Sequence, residues 1–252
     1  SPMKGGYERI EPEIHEFEQG GHRFRILNFH VESRNWWKPG MVEWSLSTMK
    51  NANFVRQDDI VFDLGCNTGF LTTWFALQAS AGHVHAFDPF LWNAAATRLQ
   101  AKLNGLTNVT VHAVGIGPTR KEIKVPIHSS STVGKKLSES DASAIKIQIE
   151  PLRTYYNAKP TFSKIDIEGA EHELGPSIVQ SSIQRGYIEM HPQFILEAGG
   201  RVDSVFQDLK KSHFDIAHHE PGARSWASPD PVEAGGYYFE RGNKPSRKWW
   251  WL

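Results

Sequence analysis

Ile60-Val61-Phe62-Asp63-Leu64-Gly65-Cys66-Asn67-Thr68-Gly69-Phe70 is the stretch whose reading decides the fold. The apolar run at its start suits a strand buried on both faces, as parallel strands usually are. Gly65 and Gly69 lack a Cβ, so the backbone can turn sharply there and a ligand can approach it closely. After Gly69, Phe70, Trp74 and Leu77 recur at helical spacing, with Leu71 and Phe75 alongside. Strand, glycine turn and helix in that order predict the ligand-binding corner of a doubly wound α/β domain. The ligand is expected at the helix N-terminus, facing free amide N–H groups.

The chemistry of the turn narrows the ligand. A dinucleotide fold carries G-x-G-x-x-G with a pyrophosphate on the helix N-terminus. Here the pattern is D-x-G-x-N-x-G, with Asp63 two residues before the first glycine. That carboxylate repels a pyrophosphate but pairs, directly or through water, with a cationic amino group. S-adenosylmethionine (SAM) offers an ammonium and a sulfonium and has no phosphate. A P-loop is excluded, because no Gly-Lys-Ser/Thr follows. A second strand, His83 to Phe87, ends in Asp88-Pro89. An acidic residue about 20 positions past such a turn is placed to accept hydrogen bonds from ribose hydroxyls. The expected cofactor-binding set is therefore Asp63, Gly65, Asn67, Gly69, Asp88 and Phe90.

Bulk properties bound the alternatives. With 252 residues, one main domain is expected, residues 51–252, preceded by an extension or cap over 1–50. Lys+Arg 28 equals Asp+Glu 28, which argues against a nucleic-acid-coating surface. The single cysteine, Cys66, cannot form an intrachain disulfide and reads as a small residue packed beside the turn. No apolar run reaches 18 residues and no signal-peptide pattern opens the chain, so a soluble cytoplasmic protein is the expectation.

Along the chain, residues 3–20 read as a glycine-rich and then acidic, solvated lead-in. His22 to Phe29 alternates as a strand with Phe24, Ile26 and Asn28 on one side. Asn35 to Gly40 is a turn-bearing aromatic stretch, and Met41 to Lys50 a helix; Trp36, Trp37 and Trp44 read as packing residues rather than cleft residues. Leu91, Ala95, Leu99 and Leu103 mark one helix face, stopped by Asn104-Gly105. Val109 to Val114 is a third strand, followed by a turn at Gly115 to Pro118. Two further strands flank a Ser/Lys-rich loop at 128–143. Phe162 to Ile167 and Tyr187 to Met190 are the fourth and fifth core strands, with a helix between them that Pro176 must break or restart. A helix at Asp203 to Lys211 and strands at Phe214–Ala217 and Gly236–Glu240 follow, the last two joined by a Pro/Gly-rich linker. The tail tryptophans, Trp249 to Trp251, read as docking onto the domain.

These blocks carry a resemblance. Asp63–Gly69, Ala86-Phe87-Asp88-Pro89, Asn104–Val109, Lys164-Ile165-Asp166-Ile167-Glu168-Gly169-Ala170-Glu171 and Glu189-Met190-His191-Pro192 resemble, in order and spacing, the successive blocks of FkbM-type SAM-dependent methyltransferases. The resemblance covers residues 55–195, and the Lys-Ile-Asp-x-Glu-Gly-x-Glu block is its most specific part. It implies a class I methyltransferase fold: a Rossmann-like seven-stranded mixed sheet with helices on both faces and the penultimate strand antiparallel. It also implies methyl transfer to a hydroxyl oxygen on a small molecule, natural product or sugar. Cys66 stands where that family often has alanine.

An alcohol is a poor nucleophile at neutral pH, so a base must take its proton or a metal must lower its pKa. The fourth and fifth strands end in Asp166, Glu168, Glu189 and His191, at the end of the sheet where ligands bind. His191, or Asp166 if His191 points away, is the expected general base, since imidazole titrates near neutrality. Glu168 and Glu171 read otherwise as caps on the following helix. A divalent cation held by Asp166, Glu189 and His191 is the less favoured alternative, and the preferred reading carries no metal. Two other classes compete: an RNA 2′-O-methyltransferase using Lys135, Lys136, Arg241, Lys244, Arg247 and Lys248, and a non-catalytic SAM-binding adaptor. A nicotinamide oxidoreductase is disfavoured by Asp63.

Overall fold

A computed structural model describes residues 9–50, 54–126, 144–219 and 233–242 of the chain. Its first element overturns an expectation. Residues read as solvated lead-in form strand β1 (Arg9–Gln19), antiparallel to β2 (His22–His30). The acidic residues there stand opposite arginines, Glu16 against Arg25 and Glu18 against Arg23, and opposed charges across a ladder favour pairing. Phe17, Phe24 and Ile26 turn inward from this hairpin. A short helix absent from the sequence reading, α1 (Val31–Trp36), follows; His30 Nδ1 caps it by accepting from the Ser33 N–H at 3.0 Å. Helix α2 (Met41–Lys50) lies where expected.

Strand β3 (Ile60–Leu64), helix α3 (Phe70–Gln78) and strand β4 (His83–Phe87) match their predicted order. Apolar on nearly every side, α3 is covered twice. Phe75 meets Phe162 of the sheet at 6.0 Å between centroids, and Trp74 meets Phe24 of the hairpin at 5.8 Å. Trp37 joins this core against Phe70, whereas Trp36 is exposed. Helix α4 (Leu91–Leu103) buries a different face from the one expected: Leu91 and Leu99 are 71% and 51% exposed, while Ala94, Ala96, Thr97 and Gln100 are buried. Gln100 accepts from Leu27 N (3.0 Å) and donates to Leu27 O (2.9 Å), and Asn104 does the same for Arg25. Polar side chains on the helix thereby pair the edge of β2, which an apolar face would leave unsatisfied.

Beyond β5 (Val109–His112), the predicted turn is instead strand β6 (Gly115–Gly117). With β7 (Lys121–Pro126) and β8 (Ala144–Pro151) it forms a small sheet in the order β6-β8-β7. The loop expected at 128–143 lies outside the described residues, as do most of the linker and the tail. A 3₁₀ turn (Leu152–Ala158) leads to β9 (Phe162–Ile165), and a second (Glu171–Glu173) to α5 (Gly175–Gln180). Pro176 sits in the first turn of α5, where a missing N–H is harmless. Then come β10 (Arg185–Met190), α6 (Pro192–Glu197), which the sequence reading lacks, and α7 (Ser204–Lys211). Strands β11 (Phe214–His219) and β12 (Gly235–Arg241) close the series.

The main sheet has seven strands in the order β11-β12-β10-β9-β3-β4-β5, with β12 antiparallel to both neighbours. The contacts of β9, β10, β3, β4 and β5 with one another are parallel. This is the Rossmann-like, seven-stranded mixed sheet with an antiparallel penultimate strand that the resemblance implied. Alternate residues of β3 face two cores: Val61 packs with α3, and Phe62 and Leu64 with α5 and α7. No described helix is long and apolar enough to cross a membrane.

On one side of β4 and β5, His83, His85 and His112 stand together, with His85 Nδ1 3.1 Å from His112 Nε2. Burial, aided by the neighbouring rings, pulls His85 down to about 4, so the native state holds it neutral. In the unfolded chain an imidazole titrates near 6.5, so protons bind that state first as pH falls. Stability should therefore drop between about pH 6.5 and pH 4. Urea unfolding across that range should show a flatter dependence for His85→Gln. An unchanged slope would mean the ring is not held neutral.

Candidate active site

The chain order reverses between β3 and β9, and a ligand crevice is expected at their carboxyl ends. Asp63 and Lys164 are register partners on these strands, so their side chains share a face. The buried Lys164 ammonium donates to Gly65 O at 2.6 Å and lies 3.6 Å from Asp63 Oδ1 and 3.3 Å from Asp166 Oδ2. Thr72 donates to Asp63 Oδ2 at 2.6 Å. Burial alone would push the Lys164 ammonium down, but Asp166 and Asp63 outweigh it and the net shift is upward. Burial pushes the Asp63 carboxyl up, and Lys164 and Thr72 pull it back. Asp63 is thus fully buried and absent from the cavity wall; its Oδ2 accepts from Thr72, while its Oδ1 has no hydrogen-bond partner among the described residues. Expected to face a ligand's ammonium, Asp63 stands beside the lining residue Gly65 and not among the lining residues themselves.

The glycine turn differs from expectation in a second way: its amides are all engaged. Gly65 N and Cys66 N both donate to Phe87 O at 2.9 Å. Asn67 N donates to Asp88 Oδ2 (3.0 Å), Thr68 N to Asn67 Oδ1 (2.7 Å) and Gly69 N to Cys66 O (3.0 Å). Gly65 has φ +80°, and a Cβ there would lie 1.8 Å from Asp166 O, so β3 and β9 can meet only through a glycine. Gly69, with φ +87°, packs against Thr97 of α4 and not against the cavity.

A cavity of about 310 Å³ opens beside this turn. Gly65, Asn67, Asp88 and Phe90 line it together with the neighbouring Asp166 and Glu168, and Ile116, Ile123 and Val125 of the small sheet contribute an apolar part of the wall. Asp88 accepts from Asn67 N, Phe90 N (2.9 Å) and Asn93 Nδ2 (3.1 Å). Burial nonetheless pushes its carboxyl up to about 7. Asn93, Lys164 and the small-sheet wall were not marked by sequence reasoning. Lys164 stood inside the quoted block, but nothing local in the sequence says that it meets Asp63.

At the acidic end, His191 Nδ1 lies 3.0 Å from Glu171 Oε1, and Nε2 lies 3.8 Å from Asp166 Oδ1 and 3.6 Å from Glu168 Oε2. Burial disfavours the imidazolium, but Glu171, Glu168 and Asp166 outweigh it and hold the ring up to about 9. The surrounding carboxylates thus favour the protonated form of His191, and Glu171 fixes the orientation of its ring through Nδ1. Glu171 is not a cap on the helix after it. It is buried and accepts from Ile167 N (3.2 Å) and Gly169 N (2.8 Å), bracing the loop that presents Glu168 at φ +58°. Glu168, rather than Glu189, joins Asp166 and His191. Of the basic set considered for RNA, only Arg241 is described; it lies over the Phe214 ring and donates to Val179 O.

Among solved structures, the fold is similar to the Methanococcus jannaschii fibrillarin pre-rRNA processing protein (13% identity, TM-score 0.47, covering 90% of this chain and 83% of that one). It is also similar to a SAM-dependent O-methyltransferase from Thermotoga maritima (11%, TM-score 0.46, 92% and 78%). A third is M. jannaschii TYW2 in complex with AdoMet (14%, TM-score 0.45, 93% and 89%). No family model matches the chain, and comparison with curated proteins finds no relative.

Removing one partner of a buried ion pair costs about 3–5 kcal/mol, because the other charge is left uncompensated. Lys164→Met, which strands two carboxylates, should lower unfolding stability by about 3 kcal/mol or more by urea titration. A loss under about 1 kcal/mol would show that the ammonium does not hold the strand ends together.

Proposed function

We propose that this chain transfers the methyl group of SAM to a hydroxyl oxygen on a small molecule, natural product or sugar. One observation carries the choice of cofactor: every backbone N–H from Gly65 to Gly69 is already engaged inside the protein. A pyrophosphate needs those amides free. A donor without phosphate does not. In this reading Gly65, Asn67 and Phe90 frame the donor, and Asp88, on the cavity wall, accepts from the ribose hydroxyls. Asp63 and Gly69 act behind the wall, one by fixing Lys164 and the other by seating α3 on α4.

The acceptor lies at the end marked by Asp166 and His191. Its oxygen forms the new O–C bond as the C–S pair returns to sulfur, and the hydroxyl proton is lost. The products are a methyl ether, S-adenosylhomocysteine and a proton. Alignment of oxygen, methyl carbon and sulfur supplies much of the rate. A metal-free site offers Asp166 as the proton acceptor, while protonated His191 steers the acceptor oxygen.

Calorimetry should show SAM binding and no binding of NAD. With methyl-labelled SAM and a panel of hydroxyl compounds, label should appear in ethers. Asp166→Asn should lower turnover by about 10²–10⁴-fold, the range of a positioned acid or base, with SAM affinity little changed. NAD binding in place of SAM would overturn the cofactor assignment. Full turnover by the variant would remove Asp166 from its role.

A further inference from the structure

Asp166, Glu168 and His191 each offer one ligand atom, and these atoms all lie within 4.8 Å of one another. Two of these separations, 3.6 and 3.8 Å, are too long for direct hydrogen bonds. Atoms shared by one cation at about 2.1 Å stand roughly 3.0–3.4 Å apart in octahedral or tetrahedral geometry, and the two His191 separations lie within a few tenths of that range.

The histidine is set up from behind. Its Nδ1 is held at 3.0 Å by Glu171, a buried carboxylate already fixed by two backbone N–H groups. An imidazole whose far nitrogen is tied to a carboxylate presents the other nitrogen to a metal, the usual outer support of a histidine ligand. The ring is further stacked against Phe194, at 5.8 Å between centroids. Asp166 and Glu168 form part of the cavity wall, so an ion between them keeps coordination positions open to a molecule in the cavity.

We propose that Asp166, Glu168 and His191 hold a divalent cation at the acceptor end of the cavity, to which the acceptor hydroxyl binds. Two carboxylates with one imidazole suit Mn²⁺ or a first-row ion of similar hardness. The proposal rests on the methyltransferase reading for its role, not for its ligands. The bound hydroxyl becomes more acidic and gives its proton to water. Its oxygen then takes the methyl carbon, and the C–S electrons stay on sulfur. Asp166 serves as ligand in this state, and the proton on His191 leaves when the ion binds.

The test uses the full chain stripped by chelation, with Mn²⁺ binding followed by the loss of the free-ion EPR signal. One ion should bind per chain, and Glu168→Gln should weaken it at least tenfold. Glu171→Gln should weaken it about 10–100-fold, as expected for a group behind a ligand. Glu173→Gln, which alters a cavity carboxylate outside the trio, should bind as the unaltered chain does. Circular dichroism checks that each variant is folded. No binding to the folded unaltered chain, or equal binding by Glu168→Gln, overturns the proposal. SAM calorimetry on the same stripped sample separates the two readings. If SAM binds and added Mn²⁺ does not, the metal site alone falls; if Mn²⁺ binds and SAM does not, the site stands and the cofactor assignment falls.

Discussion

A single ammonium group organises the carboxyl ends of the two central strands. Lys164 Nζ holds the Gly65 carbonyl, Asp63 and Asp166 in one buried contact set. Such a charge is costly to bury unless it is paired and hydrogen-bonded. With these partners it fixes the turn after β3 relative to the loop after β9. The same contact places the donor end and the acidic end of the cavity side by side. Gly65 completes the arrangement, because any Cβ there would drive the two strand ends apart.

Sequence made the local elements legible and left the non-local ones dark. The strand, turn and helix from Ile60 to Gln78 could be read because apolar spacing and two glycines act within a few residues. The meeting of Asp63 with Lys164 depends on parallel register between residues 101 positions apart, which no local pattern announces. Strand β1 was hidden because its acidic residues look solvated until Arg23 and Arg25 are placed opposite them. The face of α4 was misjudged because Gln100 and Asn104 serve the backbone of β2, a task that apolar periodicity does not record.

The candidate site shows the same division. Its residues were visible as acidic and histidine blocks at strand ends, but their protonation states were not. That Glu171, 20 residues earlier, holds the Nδ1 of His191 is visible only once the chain is folded. The turn reads as offering free amides to a ligand until those amides are followed to their acceptors. In both cases the deciding fact is where a hydrogen bond goes. The small sheet of β6, β7 and β8 then confines the cavity on the side that the glycine turn leaves open.

The most direct measurement is a crystal structure grown with S-adenosylhomocysteine. The account predicts ribose hydroxyls on Asp88 and the thioether sulfur in the cavity beside Gly65 and Asp166, facing the acidic end. Adenosine lodged elsewhere, or a pyrophosphate-bearing ligand seated on the Gly65–Gly69 turn, would contradict it.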